Sequence, residues 1–116
     1  MKHLPRLLAR RDADGCTELD LEVQPDNGWF EGHFPQFAIL PGVVQIGWAA
    51  HFAHELHGLG PGVTSMDQVK FKRPILPGTC LTLVLKPDAA AQKVRYEYRG
   101  PQSSYSSGVL QFGGAS

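Results

Sequence analysis

The feature that most constrains this 116-residue chain is a loop-like segment that runs directly into a long apolar stretch. Residues 29–42 contain two prolines, two glycines and one histidine among four aromatic residues. Nine of residues 43–56 are apolar and spread almost all round a helical axis, which is typical of a buried helix. The stretch is too short to cross a membrane. The sequence therefore predicts a histidine-bearing loop and then a central buried helix, which begins at Pro41-Gly42 and ends near Gly58.

Most of the remaining chain is patterned as strands. Residues 17–23 alternate apolar and polar side chains with the period of two that is typical of a half-exposed strand. Four further strands are predicted after the helix, at residues 65–75, 79–85, 93–99 and 105–112, separated by turns at Pro77-Gly78, Pro87-Asp88 and Gly100-Pro101. Residues 1–11 are expected to form a short helix or a loosely held arm. Together these elements predict one α+β domain over residues 1–116, with the helix packed on an antiparallel sheet.

Charge and cysteine content exclude several classes of function. The chain has 11 basic and 11 acidic residues, so its formal net charge is zero and no global field favours nucleic acid or a membrane surface. Cys16 and Cys80 form no zinc-binding spacing and no disulfide framework. The N-terminus lacks an apolar segment long enough for a signal peptide. A cytoplasmic protein is therefore expected.

Two strings resemble the signature regions of a known enzyme family. The first is Gly-His-Phe-Pro at residues 32–35, followed by Leu-Pro-Gly-Val-Val at residues 40–44. The second, at residues 67–79, contains Phe-Lys-Arg-Pro and then a Pro-Gly turn. In this order and spacing, over residues 17–112, they are similar to the β-hydroxyacyl-ACP dehydratases of the FabZ/FabA type. Within that type, the residues of the first string and the helix start most resemble the small aryl-polyene dehydratases. The resemblance implies the hot-dog fold, a sheet of about five to six antiparallel strands wrapped round one long buried helix.

The same resemblance implies an oligomer. A sheet of this size leaves strand edges open, and open edges need pairing or covering. The family pairs two sheets edge to edge, so a homodimer is expected here. A higher oligomer and a heterodimer with a paralogue remain open alternatives.

Dehydration of a β-hydroxyacyl thioester requires a base, a donor to the carbonyl oxygen and an acid for the departing hydroxyl. The resemblance implies that His33 is the base, a role that suits imidazole because it titrates near neutral pH; a structural loop histidine is the alternative. It implies that the backbone N–H of Gly42, at the positive end of the helix, holds the oxygen. The expected substrate-binding residues are Phe34, Pro41, Gly42, Val43 and Gly47.

The acid is the point at which this chain departs from the family. The family has Glu or Asp fourteen residues after the motif histidine, where this chain has Gly47. Glycine cannot donate a proton, and within a helix it costs roughly 1 kcal/mol relative to alanine. His51 lies one turn further along the same face and is the candidate acid, directly or through a water. The alternative is that Gly47 makes room for a bulky substrate and that catalysis is weak or absent.

No metal site and no separate cofactor are expected. The string His54-Glu55-Leu56-His57 is one residue short of HExxH, and ligands three residues apart do not converge as those of that motif do. His54, Glu55 and His57 are therefore interpreted as the polar end of the helix. The substrate is expected to be carried on the phosphopantetheine of acyl carrier protein or CoA.

A basic cluster of Lys70, Lys72 and Arg73 is the candidate carrier-protein surface, because acyl carrier protein is acidic. An ordinary solvated strand face is the alternative, and the basic N-terminal residues are a second candidate. The leading interpretation is a (3R)-hydroxyacyl-ACP dehydratase. A hot-dog thioesterase and a non-catalytic or partner-dependent acyl-carrier-binding subunit are the competing ones.

Overall fold

The computed structural model of the protein describes residues 4–24 and 39–114. Over these residues the elements are β1 (Arg6–Ala13), β2 (Cys16–Glu22), α1 (Gly42–His57), β3 (Pro61–Phe71), β4 (Cys80–Asp88), β5 (Lys93–Arg99) and β6 (Ser104–Gly114). The strands form one antiparallel sheet in the order β1-β2-β4-β5-β6-β3. This arrangement of one helix on a six-stranded sheet confirms the predicted fold.

The N-terminal segment is a strand, so the prediction of a helix or arm over residues 1–11 is wrong from residue 6 onwards. β1 and β2 form a hairpin around Asp14 and Gly15, whose φ values of 53° and 76° suit the two positive-φ positions of a type I′ turn. Arg11 reaches across the hairpin to Asp20 at 2.8 Å. β1 is a strand because β2 pairs with it, and this pairing exists only in the folded chain.

The turn predicted at Pro87-Asp88 lies too early in the sequence. β4 continues through both residues, and the chain turns at residues 89–92, where Asp88 Oδ1 accepts the N–H of Ala91 at 3.2 Å. The pairing of β4 with β2 ends at Leu85. Pro87 still pairs with Val94 on β5, so it has a neighbouring strand on one side only, as in the edge strands where proline is tolerated.

One side of α1 packs against the sheet. Its buried residues recur with helical spacing and are Val44, Gln45, Trp48, Ala49, Phe52 and Ala53. They meet a core that includes Leu19, Leu83, Tyr96, Tyr98 and Leu110, all 0% exposed. The opposite side of the helix is not covered to the same extent, since Val43 is 76% exposed. The all-round apolar pattern predicted complete burial, whereas the sheet of the protomer covers only one side.

The helix ends as predicted. Gly58 adopts the left-handed conformation at φ 70°, and its N–H donates to the carbonyl of His54 at 3.0 Å. Within the described ranges, no helix has the length and apolar character needed to span a membrane.

Candidate active site

The helix begins with two backbone N–H groups that make no hydrogen bond to any described residue. Pro41, extended at φ −59° and ψ 145°, accepts the N–H groups of Val44 and Gln45 at 3.1 Å each. The N–H groups of Gly42 and Val43 precede them, where a helix has no internal acceptors and its dipole is positive. Such a pair suits an oxygen atom that gains negative charge during a reaction.

Glycine at position 42 allows the ring of Phe71 to lie against the first helical turn. A Cβ atom at this position would be 2.6 Å from Phe71 Cζ, closer than packed atoms approach. Beside this contact is a cavity of about 350 Å³, here named the N-terminal cavity, whose lining includes Leu40, Gly42, Gln45, Phe71, Lys72 and Arg73. Gly42 therefore lines the same cavity as two of the predicted carrier-binding residues, Lys72 and Arg73.

A buried amide holds the backbone that precedes the helix. Gln45 is 3% exposed; its Nε2 donates to the carbonyl of Leu40 at 3.1 Å, and its Oε1 accepts from Ser106 Oγ at 2.6 Å. The hydroxyl of Tyr98 donates to the backbone carbonyl of Gln45 at 2.6 Å. Burial raises the pKa of Tyr98 well above its ordinary value, so this hydroxyl remains a donor. These bonds tie the start of the helix to β5 and β6.

The three basic residues are all exposed but are placed differently. The guanidinium of Arg73 lies 4.7 Å from the centre of the Tyr105 ring and donates to Ser103 Oγ, so its position is held. Lys72 lines the N-terminal cavity with it. Lys70 is on β3 and does not line that cavity. The structure thus brings two of the three to the helix start.

A second cavity lies between the helix and the strands β3 and β6. This helix groove of about 280 Å³ is lined by Gly47, Ala50, His51, His54, Gly62, Val63 and Phe112. Gly47 and His51 both face it, as their spacing of one turn predicts. The described lining contains no carboxylate. Two imidazoles and a glycine therefore occupy the side on which the family has its acid.

His57 leaves the helix in a different direction. Its Nε2 is 2.9 Å from Thr17 Oγ1, and the Thr17 hydroxyl donates to Asp12 Oδ1 at 2.6 Å. Burial of the ring, followed by the nearby charge of Arg10, lowers the pKa of His57, against the opposing effect of Asp12. His57 therefore ties the end of the helix to the β1–β2 hairpin. No group of three potential metal ligands occurs in the described part of the chain.

Four predicted site residues need separate comment. His33 and Phe34 lie outside the described residues, so their roles stay predictions. Pro41 caps the helix start, while Val43 is exposed and lines neither cavity. The two cavities share no lining residue. In one protomer, the predicted carbonyl donor and the predicted acid therefore face different cavities.

Sequence reasoning gave no site role to Gln45 or Phe71, and it assigned His54 only to the polar end of the helix. A glutamine inside an apolar run is a usable indication of a buried polar role, and His54 follows His51 at a spacing that shares a helix face. Nothing in the sequence indicates that Phe71 meets the helix start, because the two are joined only by the fold.

Comparison with known proteins identifies the family. A family model described as ApeI-like dehydratase matches residues 9–109. The chain belongs to this family. The dehydratase heterocomplex ApeI:P from Xenorhabdus doucetiae superposes with a TM-score of 0.83 at 33% identity, covering 92% of this chain and 96% of that chain. An uncharacterised protein from Erwinia carotovora subsp. atroseptica gives a TM-score of 0.79 at 38% identity, with 93% and 94% covered.

A curated relative supports the same class. The 3-hydroxyacyl-[acyl-carrier-protein] dehydratase FabZ of Macrococcus caseolyticus is 31% identical over 87 residues, which are 69% of this chain and 59% of that protein. The chain thus spans less than two thirds of the length of this relative. These matches confirm the resemblance to hot-dog dehydratases and the hot-dog fold.

Proposed function

We propose that this ApeI-like protein eliminates water from (3R)-hydroxyacyl thioesters to give trans-2-enoyl thioesters in fatty-acid or polyene biosynthesis. The observation that carries the proposal is the helix start. There Gly42, the first residue of the helix, lines a cavity bordered by Phe71, Lys72 and Arg73, in a chain of a dehydratase family. An acyl thioester with its carrier at the basic side would present its carbonyl oxygen to the backbone N–H of Gly42.

The proposed chemistry divides three roles among three groups. His33 takes the α-proton, and the electron pair moves towards the thioester carbonyl, whose oxygen is held by the N–H of Gly42. The pair then forms the α–β double bond as the bond to the β-hydroxyl breaks. His51, supplied by the second subunit of the proposed dimer, gives the departing oxygen its proton, so water and the enoyl thioester are the products. No metal or redox cofactor takes part in this proposal.

The partners follow from charge and from exposed apolar surface. Lys72 and Arg73 suit an acidic acyl carrier protein, with acyl-CoA as the alternative donor. Large apolar side chains on the helix start and on β3 are exposed, among them Val43 at 76% and Met66 at 56%. The proposed homodimer covers them, and the family resemblance implies that the loop of one subunit then lies near the helix of the other. A heterodimer with a paralogue is the second candidate, since the X. doucetiae relative is a heterocomplex.

The test is a direct assay of both directions. Purified protein is incubated with 3-hydroxyacyl and trans-2-enoyl thioesters of acyl carrier protein and of CoA, while the enoyl absorbance is followed. We expect the reactions that start from the 3-hydroxyacyl and the trans-2-enoyl thioester to approach the same equilibrium mixture. His33→Ala should lower the rate of either reaction about a hundredfold or more. His57→Gln, a histidine change outside both cavities, is the matched control. Release of free thiol without an enoyl product would instead indicate a thioesterase.

A non-catalytic or partner-dependent subunit is the second candidate function. The observation in its favour is that the described lining of the helix groove has no carboxylate. In that case Gly47→Glu should raise dehydration while His51→Ala changes little. If His51 is the acid, His51→Ala should cost about a hundredfold or more. The melting temperature must accompany the rates, because a larger side chain can overpack the helix side.

A further inference from the structure

The helix groove contains a second imidazole with a defined orientation. His54 Nδ1 lies 2.5 Å from the backbone carbonyl oxygen of Leu59. A carbonyl oxygen can only accept, so Nδ1 of His54 carries a hydrogen. In the neutral ring the lone pair is therefore on Nε2, which is the atom that gains and loses a proton.

The backbone after the helix produces this orientation. Gly58 turns the chain in the left-handed conformation, and Leu59 is then fully buried. Gly60 follows at φ 132°, and a Cβ atom there would be 2.5 Å from His54 Nδ1. The two glycines thus allow the Leu59 carbonyl and the His54 ring to meet.

His54 is also placed where a proton could reach His51. The two residues are three apart on one helix face, which separates their Cβ atoms by about 5–6 Å. Both line the helix groove with Gly47. His51 is half-buried, whereas His54 is exposed to solvent. The facing strands β3 and β6 contribute Gly62, Val63 and Phe112, so the two imidazoles are the titratable groups in the described lining.

We infer that His54 is a proton-shuttle residue that returns a proton to His51 after each turnover; this inference rests on the proposed dehydration. The reaction releases one proton at the α-carbon and consumes one at the departing hydroxyl, so the acid must regain its proton. His54 takes a proton from solvent on Nε2 and passes it to His51 through a water in the groove, while His33 releases the α-proton to solvent. It acts through His51 and does not touch the substrate.

The variant His54→Asn distinguishes a proton-shuttle role of His54 from a purely structural one. In His54→Asn the side-chain amide can donate to the Leu59 carbonyl in place of Nδ1, which keeps the tie at the helix end. The same variant removes Nε2 and so removes the shuttle. His57→Gln is the matched control, because it removes the next histidine of the helix, which faces the β1–β2 hairpin.

The experiment measures kcat and KM for a 3-hydroxyacyl thioester in a dilute buffer without imidazole and then with increasing imidazole. We expect His54→Asn to lower kcat about tenfold with KM unchanged, less than the loss of a group in the chemical step. Added imidazole should restore its kcat, because a soluble base and acid replaces the missing ring. Wild type and His57→Gln should not respond.

Two results would overturn the shuttle while the proposed function stands. The first is that wild type is active and that His54→Asn has the same kcat as wild type at every imidazole concentration. The other is a loss in His54→Asn that imidazole does not restore, which assigns His54 a structural role. Wild-type protein without hydratase or dehydratase activity would remove the proposed function and the shuttle together.

Discussion

Position 42 has no room for a side chain while Phe71 lies against it, because a Cβ atom would be 2.6 Å from the ring. Phe71 is 53% exposed, so the ring can move outward at little cost to the fold. We expect Gly42→Ala to leave the melting temperature nearly unchanged. The added methyl group and the displaced ring should narrow the N-terminal cavity and raise the KM for the thioester about tenfold or more, an effect of substrate positioning.

The matched test is a double-mutant cycle with Phe71→Ala. Without the ring, the methyl group of Gly42→Ala meets no obstacle, so its effect on KM should be smaller in the Phe71→Ala background. Equal effects of Gly42→Ala in both backgrounds would show that the contact with Phe71 does not explain the glycine.

The buried bond between Ser106 and Gln45 is the second residue-scale prediction. Ser106→Ala leaves Oε1 of Gln45 buried without its donor, which should lower the free energy of unfolding by about 1–3 kcal/mol. Denaturant unfolding measures this change. Ser107→Ala, at the next and less buried position of β6, is the control and should change stability less. Equal losses in the two variants would contradict the role given to Gln45.

At the scale of elements, the three histidines of α1 serve different neighbours. His51 and His54 face the helix groove, whereas His57 meets Thr17 at the β1–β2 hairpin. The sequence interpretation that His54 and His57 form one polar helix end is therefore incomplete. The helix thus lines the groove with the histidines of one side and contacts the β1–β2 hairpin with the histidine of the other.

The lowered pKa of His57 predicts a pH dependence of stability. The pKa of His57 is near 6.5 in the unfolded chain and lower in the folded chain. The folded chain therefore holds this proton less tightly, and protonation favours unfolding. The free energy of unfolding should therefore fall as the pH decreases below about 6.5 and stop falling from this cause once the folded ring is also protonated. Thermal melting of wild type and His57→Gln between pH 7.5 and pH 5 measures the difference.

We expect His57→Gln to show a shallower loss of stability towards pH 5 than wild type. Its amide can still donate to Thr17, so the comparison removes the titration and keeps the bond. His54→Asn is the control for removal of a histidine elsewhere on the helix. A loss in His57→Gln as steep as that of wild type would contradict the assignment.

At the scale of the whole molecule, the proposed dimer can be tested at the two edge strands of the sheet, β1 and β3. Met66 on β3 and Leu8 on β1 are both about half exposed, at 56% and 51%. If the proposed dimer forms through β3, Met66→Glu should yield monomers, because it would bury a charge without a partner. Leu8→Glu, the matched change at the other edge, should leave the dimer intact. Light scattering at micromolar concentration measures both.

Monomeric wild type would contradict the homodimer. Dissociation caused by Leu8→Glu and not by Met66→Glu would place the interface at the β1 edge. Both variants should retain the far-UV circular dichroism of wild type, which shows that a change of mass is not caused by unfolding.

The sequence by itself determined the features whose cause is local. Pro41 and Gly58 bound the helix because proline and glycine restrict or permit particular backbone angles wherever they stand. The four strands after the helix were predicted from alternation and turn residues, and β5 has the predicted bounds, residues 93–99. The prediction of β3 at residues 65–75 is wrong at both ends, because this strand is Pro61–Phe71 and pairs with β6. The family motifs identified the dehydratase class for the same reason, since they are short contiguous strings.

Only the tertiary structure decided which residues meet. The bond from Ser106 to Gln45 joins positions 61 apart, and that from Thr17 to His57 joins positions 40 apart. The strand character of residues 6–13 depends on a partner strand in the same way. An apolar period shows that a face is buried, but not what covers it. The uncovered side of α1 and the ring of Phe71 against Gly42 were therefore decided by long-range packing, because each depends on where another part of the chain lies.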